Sequence, residues 1–457
     1  MYSNAVRKRL RSAGVSVGKR ILVEKEGKKF EGLLMPKTDF SDPDSLAIKL
    51  DNGYNIGIKL GKDVKIRKSR HREPKSILEE EKLETGKISR KLLKVKWDKS
   101  KPPVTLMSVG GTISSRVDYR TGGVYALESP EEILHNVPEL SGIVNLKMEK
   151  PFNKMSEDMG PDDWARIARL AAKELNSGSH GVIITHGTDF LHYTAMALSF
   201  FLQNLSKPVV LVGSQRSSDR GSSDAGMNLI CASHVAKSDI AEVGICMHGS
   251  LNDDYCLFSR GTKVRKMHTS RRDAFRPINE PPLARVWPDG RIEVKNSNIR
   301  NRTNDRVKVD SKFEPKVAML KVYPGADPKI IDYYISKNYK GFVLEVPGLG
   351  HVPTTVSKKP WTTVIKKHAK DGIPFVCTPQ TIYGRINPYV YTNLRLLYLD
   401  AGAIPGEDML PETAYVKLCW VLGHTKKPEE VRKMMLTNYA GEITKRTEIE
   451  NSLGGFE

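Results

Sequence analysis

The sequence predicts an α/β protein: a two-domain core of three layers, preceded by a small N-terminal β-barrel. Three observations predict it. Short apolar runs without strict alternation recur along most of the chain, as suits strands buried on both faces. Segments with apolar residues at helical spacing lie between those runs. The N-terminal stretch has a different texture, with short runs broken by glycine, proline and Asn-Gly. The chain has 457 residues, and at roughly 100–200 residues per domain this length suggests about three domains.

The barrel is expected within residues 1–75. GVSVGKRILVEKEGKKFEGLLMPKT is broken at Gly27 and Pro36. LAIKLDNGYNIGIKL splits at Asp51-Asn52-Gly53, a hairpin signal. Residues 76–101 are rich in charge and read as a linker, helical in part. The larger α/β domain spans 102–310, with strands at Val104–Val109, Gly181–Ile184, Val209–Val212 and Val243–Met247. In DDWARIARLAAKELNSG, residues Trp164, Ile167, Ala168, Ala171 and Leu175 share one helix face; Pro161 suits the start and Gly178 the end. Leu191, Ala195, Leu198, Leu202 and Leu205 line another helix. The smaller α/β domain, 315–457, shows strands at Val317–Val322, Phe342–Val346 and Phe375–Thr378, and helices beginning near Pro328, Trp361, Pro411 and Pro428.

Composition excludes several classes. Hydrophobic residues make up 39% of the chain, enough for ordinary cores. No apolar run approaches the roughly 18 residues that span a bilayer. MYSNAVRKRLRSAGVSVGKR has basic residues but no apolar stretch or cleavage site, so a cytoplasmic protein is expected. The five cysteines are scattered without a CxxC pair, which argues against a disulfide frame or zinc site. The net charge of +20 fits a polyanionic partner, and it fits equally a Lys-rich proteome in which charge marks solvation.

In open parallel sheets, ligands bind beyond the carboxyl ends of the strands. Here those ends carry SVGGTISS, KMSEDMG, THGTD and GSQRSSDRGSSDAGMNL. Taken singly, each has a plain structural reading. Gly110-Gly111 makes a tight turn, Thr112 or Asp189 caps a helix, and His186 and His192 pack or hydrogen-bond rather than bind a metal. Together they suit acyl transfer. A threonine hydroxyl needs a base and an oxyanion hole before it attacks. Glycines let backbone N–H groups approach a substrate. Thr188 and Asp189 add a second hydroxyl and a carboxylate. Lys266, in RGTKVRKMHTSRRDAF, is the candidate base, because neighbouring cations and desolvation favour its neutral form.

SVGGTISS followed by ITHGTD, with VGSQRSSDRGSSDAGMNL, KVRKMHTSRRDAF and LYLDAGAIPGEDMLPETAYVKLCWVLG, resembles the L-asparaginase/glutaminase family over about Val104 to Gly423. The resemblance implies an asparaginase-like core that hydrolyses a side-chain carboxamide through an acyl-enzyme. It makes Thr112 the nucleophile and Thr188, Asp189 and Lys266 the second proton-handling group. It assigns substrate contacts to Ser156, Glu157, Gly111 and a loop tyrosine, Tyr125, with Tyr119 as the competitor. Two stretches depart from the family pattern: INPYVYTN offers no acid, and GLGHVP puts His351 where the family has an asparagine-rich turn.

The preceding barrel, the basic charge, SRVDYRTGGVY and VGKRILVEKEGKKFEGLLMP narrow the resemblance to the D-subunit (GatD) family of archaeal-type glutamyl-tRNA(Gln) amidotransferases. That implies a glutaminase, with asparagine a second candidate substrate, passing ammonia to a GatE-type partner subunit that amidates Glu-tRNA(Gln) to Gln-tRNA(Gln). ATP and magnesium would belong to the partner, with no cofactor in this chain. A homodimer within a heterotetramer is expected. The alternatives are a free-standing cytoplasmic L-asparaginase with an accessory domain, and an RNA-binding protein on an inactive hydrolase scaffold.

Overall fold

The chain begins with a helix that its charge conceals. In α1, Asn4–Ser12, only Val6 and Leu10 are buried, and four of the other seven residues are arginine or lysine. The computed structural model describes residues 2–35, 42–50, 55–69, 97–111, 113, 115–117, 124–126, 137, 139–216 and 223–448. The expected Asp51-Asn52-Gly53 turn and nearly all of the expected linker lie outside these residues.

After α1 come β1 (Arg20–Lys25), β2 (Lys28–Leu34), β3 (Ser45–Leu50), β4 (Asn55–Lys59) and β5 (Lys65–Lys68). They form one antiparallel sheet in the order β4-β3-β2-β1-β5. Glu26 and Gly27 join β1 to β2 with φ of 49° and 74°. Positive φ at both turn residues matches the twist of a two-residue hairpin. Val6, Leu10, Ile21, Val23, Leu34, Leu46, Ile48 and Ile58 close a core of their own beneath α1.

The larger domain is built on eight strands in the order β18-β17-β14-β13-β12-β10-β6-β9. Five are parallel: β6 (Pro103–Ser108), β9 (Asn145–Glu149), β10 (Val182–Thr185), β12 (Val209–Val212) and β13 (Val243–His248). The four strands that sequence reading places in this sheet are all parallel; β14 (Cys256–Arg260), β17 (Ala284–Val286) and β18 (Ile292–Val294), which it does not place, run antiparallel. The cause is the connection: Ser250–Tyr255 is a short loop with no crossover helix, so the chain can only turn back. Short pairs flank the sheet: β7 (Ser115–Val117) with β8 (Val124–Ala126), β11 (Leu202–Gln203) with β19 (Lys308–Val309), and β15 (Val264–Lys266) with β16 (Phe275–Pro277).

Helices cover both faces. On one side, α2 (Pro161–Asn176) and α3 (Leu191–Phe201) pack with Met107, Val182, Ile184 and Leu211; on the other, α4 (Ala225–Ala236) packs with Leu106, Ile183, Val210 and Val212. The five residues expected on the inner face of α2 are all buried, Pro161 is its first residue, and Gly178 takes φ of 106° beyond its end.

The smaller domain is a parallel sheet of β20 (Val317–Lys321), β21 (Gly341–Val346), β22 (Phe375–Pro379) and β23 (Ile404–Pro405). It carries α5 (Ile330–Ser336), α6 (Trp361–Lys370), α7 (Pro411–Leu422) and α8 (Pro428–Leu436). Helix α7 is buried between the two domains, and its Trp420 stacks on Phe200 of α3 at 5.9 Å. All five cysteines are free and buried. Among the described residues, no helix is long and apolar enough to cross a membrane.

Candidate active site

Parallel pairing of β6, β10 and β12 puts Ser108, Thr185 and Val212 side by side. The loops that follow therefore start level with one another. Gly110 and Gly111 take φ of 127° and 89°, which other residues adopt only under strain. A Cβ on Gly110 would strike the Lys154 carbonyl, and one on Gly111 would land on the backbone nitrogen of Gly187. A Cβ on Gly213 would lie 2.8 Å from Thr188 Cγ2. Three strand ends thus meet through glycines, and Gly111, the residue before Thr112, lies against the residue before Thr188.

Thr112 and Tyr119 fall outside the described residues. Tyr125 lies in β8, with its backbone in register with Arg116. Ser156 begins a 3-10 turn after β9 and is buried. Its Oγ accepts the Phe190 N–H at 3.3 Å and donates to Glu157 Oε2 at 3.2 Å, so the β9 loop is tied to the THGTD loop. Glu157 itself is exposed.

Lys266 Nζ donates to Thr188 Oγ1 at 2.9 Å and to Asp189 Oδ1 at 2.7 Å. The three residues that the sequence groups are one cluster. Two details stand out. Lys266 is not on a surface loop: it ends strand β15, and its side chain is 10% exposed. Asp189 does not cap α3, whose N-cap is Phe190 without a side-chain bond. It pairs with Lys266 instead and stays 67% exposed. An ion pair so open contributes little to stability. It sets the Lys266 nitrogen beside a hydroxyl and leaves the Asp189 carboxylate largely open to solvent.

The histidines hold the loop together. The His186 Nδ1–H donates to the Gly187 carbonyl at 2.7 Å, which leaves Nε2 to accept the Thr194 hydroxyl at 2.9 Å. Burial lowers its pKa to about 4, opposed by the Gly187 bond, so it is a neutral strut that fixes the peptide before Thr188. His192 is pushed down to about 3, by burial first and then by Arg265 and Lys266. The loop after β12 is anchored by Asp224, which accepts the Gln215 N–H at 2.9 Å and the Arg216 N–H at 3.0 Å. Sequence reading does not identify Asp224 as an anchor, although SSDAG just before a helical run is a cap-like signal. It also misses Glu412, an acid of the second domain whose carboxylate lies 3.0 Å from Arg265, next to Lys266.

Comparison with known proteins bears on this geometry. Residues 103–300 match the asparaginase N-terminal family, and 316–435 the glutaminase/asparaginase C-terminal domain. Residues 15–68 match the GatD N-terminal domain. The chain is 51% identical over 448 residues to the D subunit of the glutamyl-tRNA(Gln) amidotransferase of Pyrococcus abyssi, covering 97% of this chain and 98% of that one. The chain belongs to the family of D subunits of glutamyl-tRNA(Gln) amidotransferase. The Thermococcus kodakarensis member is 52% identical over 444 residues, 96% of this chain and 97% of its own. Solved structures share the core. The thermostable L-asparaginase of T. kodakarensis superposes with a TM-score of 0.66 at 33% identity, over 75% of this chain and 99% of that one. A probable cytoplasmic L-asparaginase of Campylobacter jejuni gives 0.61 at 26%, over 74% and 100%. Members of this family therefore combine an asparaginase-type core with an added N-terminal domain, which accounts for the five-stranded sheet at the start of this chain.

Proposed function

We propose that this chain is the glutaminase component of a tRNA-dependent amidotransferase, releasing ammonia from glutamine for a partner that converts Glu-tRNA(Gln) to Gln-tRNA(Gln). The observation that carries the reading is the Lys266–Thr188–Asp189 cluster beside the Gly111–Gly187 contact. In this reading Thr112 Oγ attacks the carboxamide carbon and N–H groups around Gly111 stabilise the oxyanion. The proton of the Thr112 hydroxyl passes to the amide nitrogen, which leaves as ammonia. Water then attacks the glutamyl ester, passing its proton to the Thr188–Asp189–Lys266 group, in which the Asp189 carboxylate is the acceptor, and Thr112 Oγ regains a proton as glutamate departs. Asp189, Ser156 and Glu157 bind the amino-acid end of the substrate, with Tyr125 closing over it.

The partner is of the GatE type, and the reading leaves ATP and magnesium to it. Two copies of this chain pair within a heterotetramer. The net charge of +20 suits an assembly that handles tRNA, through phosphate contacts that weaken with salt. The match to solved L-asparaginases over almost their whole length supports a second reading, amide hydrolysis by the chain acting alone on asparagine.

Thr112→Val is expected to abolish ammonia release from glutamine while assembly with the partner persists, and ammonium chloride is expected to restore Gln-tRNA formation. Loss of amidation that ammonium does not rescue would contradict the assignment. Strong turnover by the isolated chain, unchanged by partner and Glu-tRNA, would favour the second reading.

A further inference from the structure

The segment that delivers Lys266 is fastened to the smaller domain at three successive points. Thr262 Oγ1 donates to the Ala440 carbonyl at 3.0 Å, and Thr413 Oγ1 donates to the Thr262 carbonyl at 2.8 Å. Lys263 Nζ reaches Asp408 Oδ2 at 2.7 Å, with both side chains wholly buried. Arg265 Nε lies 3.0 Å from Glu412 Oε1. Lys266 comes next and meets Thr188 and Asp189. Successive side chains of a strand point to opposite faces, so a clamp on Arg265 fixes the height at which its neighbour leaves the strand.

Glu412 is an odd residue for a purely structural tie. Its side chain is 7% exposed, and Oε2 is buried without a hydrogen-bond partner among the described residues. A buried carboxylate with half its acceptors idle is a costly way to hold two domains together. Burial raises its pKa, and Arg265 opposes this most strongly. Around Glu412 stand Arg265 from β15, Tyr193 from α3 and Glu345 from β21. Around Lys266 stand Asp189, His192 and Arg265, while Arg276, in register with Arg265 on β16, is held by Asp273. Arg265 is 33% exposed, and of Arg265, Lys266 and Arg276 it alone pairs with a carboxylate of the second domain.

We propose that Glu412 is a positioning residue for amide hydrolysis: by holding Arg265 it fixes strand β15, so that the smaller domain sets where the Lys266 ammonium lies. The proposal rests on the role given to Lys266 above. It also supplies a physical route by which anything that shifts α7 reaches the reacting groups.

The test uses the full chain assembled with its partner and charged tRNA, measuring ammonia release from glutamine for five variants. Glu412→Gln is expected to lower kcat about tenfold while KM stays within about twofold, the pattern of a lost transition-state interaction. Glu412→Asp is expected to recover most of the rate. Arg265→Gln, which breaks the pair from its exposed side, is expected to match Glu412→Gln, and keeps the test open if the buried variant folds poorly. Thr413→Val cuts a neighbouring tie without touching a charge, and is expected to lower Tm while leaving kcat unchanged. A Glu412→Gln rate equal to that of the parent, or a Thr413→Val loss as large as that of Glu412→Gln, would overturn the proposal. Lys266→Met separates the two levels. If it is inactive while Glu412→Gln is normal, only the positioning role fails; if it is fully active, the role of Lys266 fails.

Discussion

The two sheets of this molecule end in the same way topologically and in opposite ways chemically. Beyond β6, β10 and β12 the loops approach through glycines, bury a neutral histidine strut and focus Lys266 on a hydroxyl and a carboxylate. Beyond β20, β21 and β22 the loops instead carry exposed aromatic and apolar side chains, although Gly384 in the β22 loop is tied to Asn279 of the larger domain. Tyr323, Tyr389, Val390 and Tyr391 are each more than half exposed there, and the only histidine in these loops, His351, rests against the Tyr391 ring at 5.3 Å. Position at the carboxyl edge of a parallel sheet thus permits a site without creating one. The difference lies in what the loops carry: small residues that let backbones touch, and polar atoms that converge.

The sharpest way to break this comparison is a matched pair of glycine substitutions. Gly111→Ala forces a Cβ onto the Gly187 backbone at a φ of 89°. It is expected to cut glutaminase activity at least about a hundredfold, since displaced catalytic groups lose rate steeply. Gly350→Ala, at φ of 116° after β21, meets side-chain atoms first, the Tyr398 hydroxyl and the Ile386 side chain. It is expected to cost about 1–3 kcal/mol in stability with activity per folded molecule retained. Equal losses of activity would erase the distinction between the two edges.

A second effect is set by pH. His186 is held neutral in the folded chain, with its pKa depressed from 6.5 to about 4 by burial. Between those values the unfolded chain binds a proton that the folded one does not. Stability is therefore fully present above about pH 6.5 and falls as pH drops towards 4, by roughly 3 kcal/mol from this group alone. His192, depressed to about 3, adds to the fall. Urea midpoints at pH 7 and pH 4.5 check this, with His186→Gln expected to flatten the dependence. A midpoint that stays level across that range in the parent chain would mean that the strut is not neutral. The smallest effect is expected at the edge of the smaller sheet. Tyr391→Ala should leave the glutaminase rate of the chain within about twofold and Tm nearly unchanged, as for surface positions generally. A collapse of activity there would make the second edge part of a site.

Much of this was legible in the sequence because the signals are local. Glycine and hydroxyl clusters interrupt apolar runs at strand ends, and the face of α2 reads directly from Trp164 to Leu175. What escaped is either hidden by charge or formed only in three dimensions. The stripe Val6 and Leu10 is too thin to announce α1 among its arginines. An apolar run such as Cys256–Arg260 carries no direction, so the antiparallel half of the large sheet reads like the parallel half. In LPETAY, Glu412 reads as the acidic first turn of a helix, and its arginine lies in another domain. The neutral state of His186 follows from complete burial, which spacing does not report.

The most direct test is to trap the intermediate. Lys266→Met, incubated with glutamine, quenched in acid and digested, should yield a glutamyl ester on the peptide containing Thr112, seen by mass spectrometry and absent from Thr112→Val. An ester on the peptide containing Thr188 instead, or ammonia release from Thr112→Val at the parent rate, would contradict the account.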